Sequence, residues 1–298
     1  MITRNAMITI CGRPNVGKST LTNALVGDKV AIVTNKPQTT RNRITAVLND
    51  GDTQLVLMDT PGFHKARTRL GDYMVNVVRE SVSDVDLVVL VVEPIANVGA
   101  QETELIERIK QSGCPAVLVI NKIDTLADKA ELLPIMDVYS KAHAFDAIIP
   151  ISAKEQDGLR ELTEEMKKHA EEGPQLFPDD MISDQPERQI CAEIVREKLL
   201  LCLDKEIPHG TAVEVNRFSE RENGIIDMDV TIYCEKASHK GIIIGKHGAM
   251  LKKIGEQARV DIEAFMGTKV FLQTWVKVKE NWRDSDFMLS NFGFVNEK

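Results

Sequence analysis

The stretch GRPNVGKST joins two glycines, a lysine and two hydroxyl residues at the spacing G-x-x-x-x-G-K-S (Gly12, Arg13, Pro14, Asn15, Val16, Gly17, Lys18, Ser19, Thr20). That spacing suits a loop whose backbone N–H groups turn inward around phosphate oxygens. Lys18 would reach the outer phosphates and the Ser19 hydroxyl would ligate Mg2+. The apolar run MITIC before the loop and the helix-like TLTNALVG after it supply the required strand and helix, whose positive N-terminus would face the same anion.

Three later segments fit the same chemistry and follow in the order that it needs. LVLMDTPG is an apolar strand ending in Asp59, Thr60, Pro61 and Gly62. Asp59 is expected to hold Mg2+ through water, and the Gly62 N–H to face the γ-phosphate. LVINKID ends in Asn121, Lys122, Ile123 and Asp124. A carboxylate at Asp124 accepts from guanine N1–H and N2–H2, whereas adenine has an acceptor at N1 and leaves it unpaired. PISAK adds Ser152, Ala153 and Lys154, with the Ala153 N–H expected at guanine O6. Together the four segments resemble the translation-factor-like class of P-loop GTPases. On that resemblance Thr40, in KPQTTRNR, matches the switch threonine that binds Mg2+ and the γ-phosphate, with Thr39 as the competing candidate.

Phe63 stands directly after the D-x-x-G glycine, where Ras-like GTPases carry a water-orienting glutamine. A phenyl ring cannot hydrogen-bond water, so that device is absent. Asn15 matches the asparagine that, in several GTPases with a hydrophobic residue at this position, helps hold a monovalent cation. Two readings stay open: K+ beside Asn15 supplies the positive charge of an arginine finger, or Asn15 stabilises the loop. Arg41 and Arg43 are the less favoured charge donors, since arginines in mobile loops are common. No general base is assigned.

A second glycine loop, IIIGKHG, carries Gly245, Lys246, His247 and Gly248 between two apolar stretches, the latter helix-like and with Lys252 and Lys253. It has the form of the G-x-x-G loop of KH domains, in which the glycines admit a sugar-phosphate backbone. Lys240, Lys246, His247, Lys252 and Lys253 are expected at RNA phosphates, with Ile243 and Ile244 as an apolar floor for bases. Residues 236–283 hold ten Lys or Arg against four Asp or Glu, a positive patch inside a chain of net charge −8.

The elements that must position these loops alternate short apolar runs with helix-like stretches over residues 6–170: AMITIC, QLVLMDT, DLVVLVVE, PAVLVINK and AIIPISA. This predicts an α/β domain with a doubly wound, mostly parallel sheet. Three prolines, a glycine and acidic residues in EEGPQLFPDDMISDQP mark a linker. A helix, a hairpin (TAVEVNRF and GIIDMDVTIYCE), the glycine loop with its helices and a strand (KVFLQTWVKVK) then predict a smaller α+β domain. The boundaries are 1–172, 173–186 for the linker and 187–298. With 298 residues, 43% hydrophobic and 28% charged, the chain can bury two cores. Five scattered cysteines without a C-x-x-C pair exclude a zinc site or disulfide framework and fit a reducing cytosol. The run LVVLVV is far short of the roughly 20 residues that span a bilayer, and no signal segment opens the chain.

A P-loop GTPase domain followed by a KH domain resembles the Era family. The likeness extends to KPQTTRNRI, DTPGFH, VREKLL and WVKVKENW, and so runs over nearly the whole chain. It implies a KH domain of the prokaryotic type, and a Mg2+-dependent, intrinsically slow GTPase cycling between GTP and GDP. It further implies binding to the 3′ end of small-subunit 16S rRNA, assistance to 30S assembly, and a cytoplasmic monomer with peripheral association at the inner membrane face. The rival reading is a regulatory GTPase whose KH-like domain binds a protein.

Overall fold

The computed structural model describes residues 2–63, 66, 68–82 and 85–294. They divide into two units. The first takes in residues 1–31, 40–66 and 74–184, and the second residues 32–39, 67–73 and 185–298.

In the first unit a strand β1 (Arg4–Cys11) leads through the first glycine loop into α1 (Lys18–Val26). There follow β2 (Ile44–Asp50), β3 (Thr53–Asp59), α2 (Arg69–Glu80), whose first residues are counted with the second unit, and β4 (Leu87–Val92). The unit continues with α3 (Ala100–Ser112), β5 (Ala116–Ile120), α4 (Leu132–Ala142), β6 (Ala147–Pro150), α5 (Leu159–Lys168) and β7 (Glu171–Glu172). The strands lie in the order β2-β3-β1-β4-β5-β6, with β7 beside the start of β1. All neighbours from β3 to β6 are parallel, and β2 runs antiparallel to β3.

Burial explains the apolar runs. Every residue of LVVLVV is fully buried, because alternate side chains meet α1 and α5 on one face of the sheet and α2, α3 and α4 on the other. Each such Val or Leu contributes about 1.5–3 kcal/mol relative to an exposed one. A polar side chain placed in this strand would cost stability unless it found a hydrogen-bond partner.

Two features depart from the expectation. The strand β2 was not foreseen. The expected linker also does not hang free: the Val47 N–H donates to the Ile182 carbonyl at 2.9 Å, and Ser183 Oγ to the Thr45 carbonyl at 2.7 Å. The Gln54 side chain is bonded to the Phe177 carbonyl and to the N–H groups of Leu176 and Phe177, each at 2.9 Å. A proline-rich segment can still satisfy an open strand edge from its other residues: Ile182 and Ser183 do so along the edge strand β2, while Leu176 and Phe177 bond the Gln54 side chain of β3.

The second unit begins its own core with α6 (Glu187–Cys202), then β8 (Thr211–Glu220), β9 (Ile226–Cys234), α7 (Ala237–Ile244), α8 (Ala249–Met266), β10 (Val270–Val278) and a short α9 (Asp286–Asn291). The hairpin β8–β9 is antiparallel and β10 joins β9 in parallel. Alternation along the strands turns Met228, Val230, Ile232 and Val276 onto Ile194, Leu199, Ile254 and Ile262 of the helices. The helix α6 also holds the backbone of residues 32–39. Glu197 Oε1 accepts the Val33 N–H at 2.9 Å, and the Arg196 guanidinium donates to the carbonyls of Gln38 and Thr39. Both side chains are nearly fully buried, so these bonds are shielded from water.

Candidate functional site

The first glycine loop lies where β1 ends, and two contacts fix its path. Gly17 has φ +97°, and a Cβ there would lie 2.3 Å from Asn121 Nδ2, so only glycine fits. Asn121, at the end of β5, uses that approach to join three segments. Its Nδ2 donates to the Val16 carbonyl at 2.8 Å and its Oδ1 accepts the Ala153 N–H at 3.0 Å. The Ala153 N–H expected at guanine O6 thus has a protein partner in this conformation. Asp124 is exposed, with one carboxylate oxygen accepting from Ser152 Oγ at 2.6 Å. Ile123 is half-buried against the core, and Lys154 is exposed and paired with Glu155 at 2.8 Å.

At the other end of the loop, Ser19 Oγ donates to Asp59 Oδ2 at 2.6 Å and lies 2.8 Å from Thr40 Oγ1. Thr39, the competing candidate, is turned away: its hydroxyl donates to the Lys36 carbonyl at 2.7 Å and lies 2.7 Å from Thr34 Oγ1. Asp59 is fully buried and its Oδ1 has no hydrogen-bond partner among the described residues. Burial pushes its pKa up to about 6, against the pull of Lys18 and of the Ser19 and Thr40 hydroxyls. Burial likewise lowers the pKa of Lys18, whose ammonium donates to the Gly12 and Arg13 carbonyls at 3.3 and 3.0 Å. Two hydroxyls and an unpaired buried carboxylate oxygen form a hard, all-oxygen set that fits Mg2+.

Gly62 lies against the loop, with Pro14 Cα 2.7 Å from where its Cβ would be. Thr60 donates its hydroxyl to the Ile10 carbonyl at 2.9 Å, and the Phe63 N–H donates to the Gly12 carbonyl at 3.1 Å. The Phe63 ring is 3% exposed and packs in the core with Val75 and Leu105, so it cannot touch an attacking water. His64, the last residue of DTPGFH, lies outside the described residues. Arg41 is buried and Arg43 exposed.

Motif reading missed a set of contacts around Arg13. Its Nε lies 2.6 Å from Glu102 Oε1, and its Nη2 lies 3.5 Å from Glu93 Oε2. Lys122 Nζ lies 2.6 Å from Glu93 Oε1 and donates to the Asn15 carbonyl at 2.5 Å. The one available signal is the position of Glu93 just past the carboxyl end of β4, where open α/β sheets bind ligands.

In the second unit α7 ends at Ile244 and the chain turns through Gly245 into α8. Gly245 has φ +72° with Met250 Cβ 2.7 Å from any added Cβ, so the turn needs glycine. Lys246, His247, Lys252 and Lys253 are exposed and Lys240 is half-buried. Ile244 is half-buried, but Ile243 is fully buried. The expected apolar floor loses Ile243, because the helical period turns that residue onto Ile254 and Ile262 in the core.

Among the described residues no group of three or more His, Cys, Asp or Glu is arranged to hold a metal, and no helix is long and apolar enough to cross a membrane. Residues 7–122 match the family model described as a 50S ribosome-binding GTPase, and residues 206–283 match that of the KH domain. The GTPase Era of Ruminiclostridium cellulolyticum is 53% identical over 295 residues, covering 99% of both chains. That of Clostridioides difficile is 48% identical over 296 residues, again 99% of each. Among solved structures, an Aquifex aeolicus Era variant bound to GDP and AlF4− matches with a TM-score of 0.95 at 36% identity, over 98% of this chain and 100% of its own. Era in complex with MgGDPNP and nucleotides 1506–1542 of 16S ribosomal RNA matches equally, TM-score 0.95 at 36% identity, over 99% and 100%. With both domains in the same order and the identity spread over the full length, the chain belongs to the Era family of GTPases.

Proposed function

We propose that this GTPase is a nucleotide-dependent switch that binds the 3′ end of small-subunit 16S rRNA and assists maturation of the 30S subunit. The observation that carries the reading is the likeness, over 99% of the chain, to the solved Era complex with nucleotides 1506–1542 of that RNA, together with an intact GKHG loop whose Lys246 and His247 are exposed.

In this reading the loop N–H groups from Asn15 to Thr20 and the Lys18 ammonium grip the phosphates, while Asn121, Lys122, Asp124, Ser152 and Ala153 select guanine. Ser19 and Thr40 would hold Mg2+ directly and Asp59 through water. The ion would neutralise charge on the β- and γ-phosphates. Phe63 offers nothing to the attacking water, so orientation falls to backbone groups near Gly62. K+ beside Asn15 is the proposed source of extra positive charge. Lys246, His247, Lys252 and Lys253, with the Gly245–Gly248 backbone, receive the RNA phosphates.

Residues 32–39 are counted with the second unit and Thr40 with the first. In this reading the γ-phosphate keeps Thr40 at Ser19, hydrolysis releases it, and the change passes along the chain to residues 32–39, which are bonded to α6. The test is binding of an oligonucleotide ending in the 16S 3′ sequence, with GDP and with a non-hydrolysable GTP analogue, for wild type and Gly248→Asp. Tighter binding with the analogue, lost in the variant, is expected. Binding indifferent to both changes would instead favour a KH-like domain that serves a protein partner.

A further inference from the structure

We propose that Glu93 and Glu102 are positioning residues for nucleotide binding, which act through Arg13 and Lys122 to set the crest of the first glycine loop. The proposal rests on the reading of that loop as the phosphate site.

A phosphate loop works by aiming N–H groups inward, and its crest carbonyls must then point elsewhere and find donors. Here the Arg13 carbonyl accepts from Lys18 at 3.0 Å and the Asn15 carbonyl from Lys122 at 2.5 Å. Asn15 and Lys122 both have left-handed backbones, φ 67° and 65°, which residues with a Cβ hold only when surrounding contacts over-determine them. The two carboxylates contribute to those contacts through Lys122 and Arg13. Glu93 Oε1 lies 2.6 Å from Lys122 Nζ, and its other oxygen lies 3.5 Å from Arg13 Nη2.

Glu102 fixes the far end. It is 1% exposed, and one oxygen accepts the Gly99 N–H at 2.8 Å, which ties it to the first turn of α3. Its other oxygen lies 2.6 Å from Arg13 Nε. The Arg13 Nε–H is not aligned with this oxygen, so the contact is an ion pair more than a directed hydrogen bond. A buried carboxylate without a cation is costly, which makes Glu102 a firm anchor for the arginine.

The chain Glu102, Arg13, Glu93, Lys122, Asn15 carbonyl alternates in sign and sums to no net charge. It adds little field at the phosphates. Its contribution is geometric, and it joins the loop crest to the segment that carries Asp124. In the proposed site the loop N–H groups and Lys18 grip phosphates that GDP and GTP share. Loosening the crest weakens both alike and leaves turnover at saturation untouched, which separates these residues from Thr40 and Mg2+.

The experiment measures dissociation constants for GDP and a non-hydrolysable GTP analogue, kcat, KM and nucleotide-free Tm for wild type, Glu93→Gln, Glu93→Asp, Glu102→Gln and Lys18→Ala. Glu93 is the main probe because it is partly exposed and its replacement is compatible with folding. The expected result for Glu93→Gln is a roughly ten-fold loss for both nucleotides, the size of one charged hydrogen bond. KM should rise with kcat within about two-fold and Tm unchanged, and Glu93→Asp should recover part of the loss. Combining Arg13→Gln with Glu93→Gln should cost less than the separate losses together. Wild-type affinities in Glu93→Gln would overturn the proposal, as would a loss confined to the GTP analogue or to kcat. If Lys18→Ala binds both nucleotides normally, the phosphate-site reading itself fails, and the two failures are told apart.

Discussion

Ser19 Oγ donates to Asp59 Oδ2 at 2.6 Å and lies 2.8 Å from Thr40 Oγ1, so a P-loop residue, a strand end and a switch residue meet at one point. The neighbouring Thr39 is bonded to Lys36 and Thr34 instead.

That difference predicts unequal effects of two otherwise identical changes. Thr40→Ala removes a hydroxyl from the Mg2+ set and is expected to lower GTP turnover by about ten-fold or more and to raise the Mg2+ needed for half-maximal rate. Thr39→Ala should leave both within about two-fold, since the lost bond is a neutral one outside the set. A magnesium titration of steady-state phosphate release on both variants decides it. Equal losses would mean that the two threonines exchange places during the cycle.

Phe63 occupies the position of the Ras-type glutamine but is 3% exposed in the core, next to Val75 and Leu105. Restoring a glutamine there should not restore water orientation, because the side chain would start from a buried site and its amide would be left unsatisfied. Phe63→Gln is expected to hydrolyse GTP no faster than wild type. Phe63→Ala should destabilise the protein by about 3–5 kcal/mol, read from urea unfolding. Faster single-turnover hydrolysis in Phe63→Gln would show that this segment leaves the core when nucleotide binds.

These two cases also show what the sequence could and could not reveal. The residues of GRPNVGKST, DTPG and NKID were legible because each sits at the end of an apolar strand, where spacing alone dictates position. Family resemblance alone favours Thr40 over Thr39; the physical reason, its contact with the distant Ser19, was not legible. Glu93 and Glu102 belong to no motif; their role emerges when α3 and the end of β4 are brought against Arg13. The strand β2 was hidden although its hairpin with β3 is local, closed across Gly51 and Asp52, because it follows directly on the polar stretch KPQTTRNR and its own end, Asn49 and Asp50, turns polar. Residues 173–186 read as a linker by their prolines, yet Ile182 and Ser183 find bonding partners in β2. Ile243 and Ile244 look equivalent in a run of three isoleucines, and helical phase alone separates them.

Asn15 leads to a cation prediction. If K+ sits beside it and supplies charge to the transition state, turnover should be roughly ten-fold or more faster in KCl than in NaCl at equal ionic strength. Asn15→Ala should erase the difference while retaining most GDP affinity, because the loop carbonyl held by Lys122 belongs to the backbone. Identical rates in the two salts would leave Asn15 with the role of stabilising the loop.

The second glycine loop can be tested by the way its RNA affinity depends on salt. Each phosphate contact by a lysine displaces condensed counterions, so for single strands the logarithm of affinity falls with the logarithm of salt concentration by about 0.7 per contact. Lys246, Lys252 and Lys253 are exposed and flank the turn from Gly245 to Gly248. Lys252 has Glu256 3.8 Å away, a long surface pair that competes weakly with a phosphate. Replacing Lys246 by alanine should therefore flatten the salt dependence by about 0.7 and weaken all RNA sequences alike, because a phosphate contact carries no base information. Gly248→Asp should do more than remove one contact. No atom lies within 4 Å of an added Cβ, but φ +80° strains any residue other than glycine, so the new side chain both strains the turn and brings a negative charge that repels the backbone the loop admits. A titration across salt concentrations with the 16S 3′ oligonucleotide and a scrambled one separates these terms. If the slope is unchanged in Lys246→Ala while affinity for the 16S sequence alone falls, Lys246 reads bases, and the RNA lies further along the loop than phosphate contact implies.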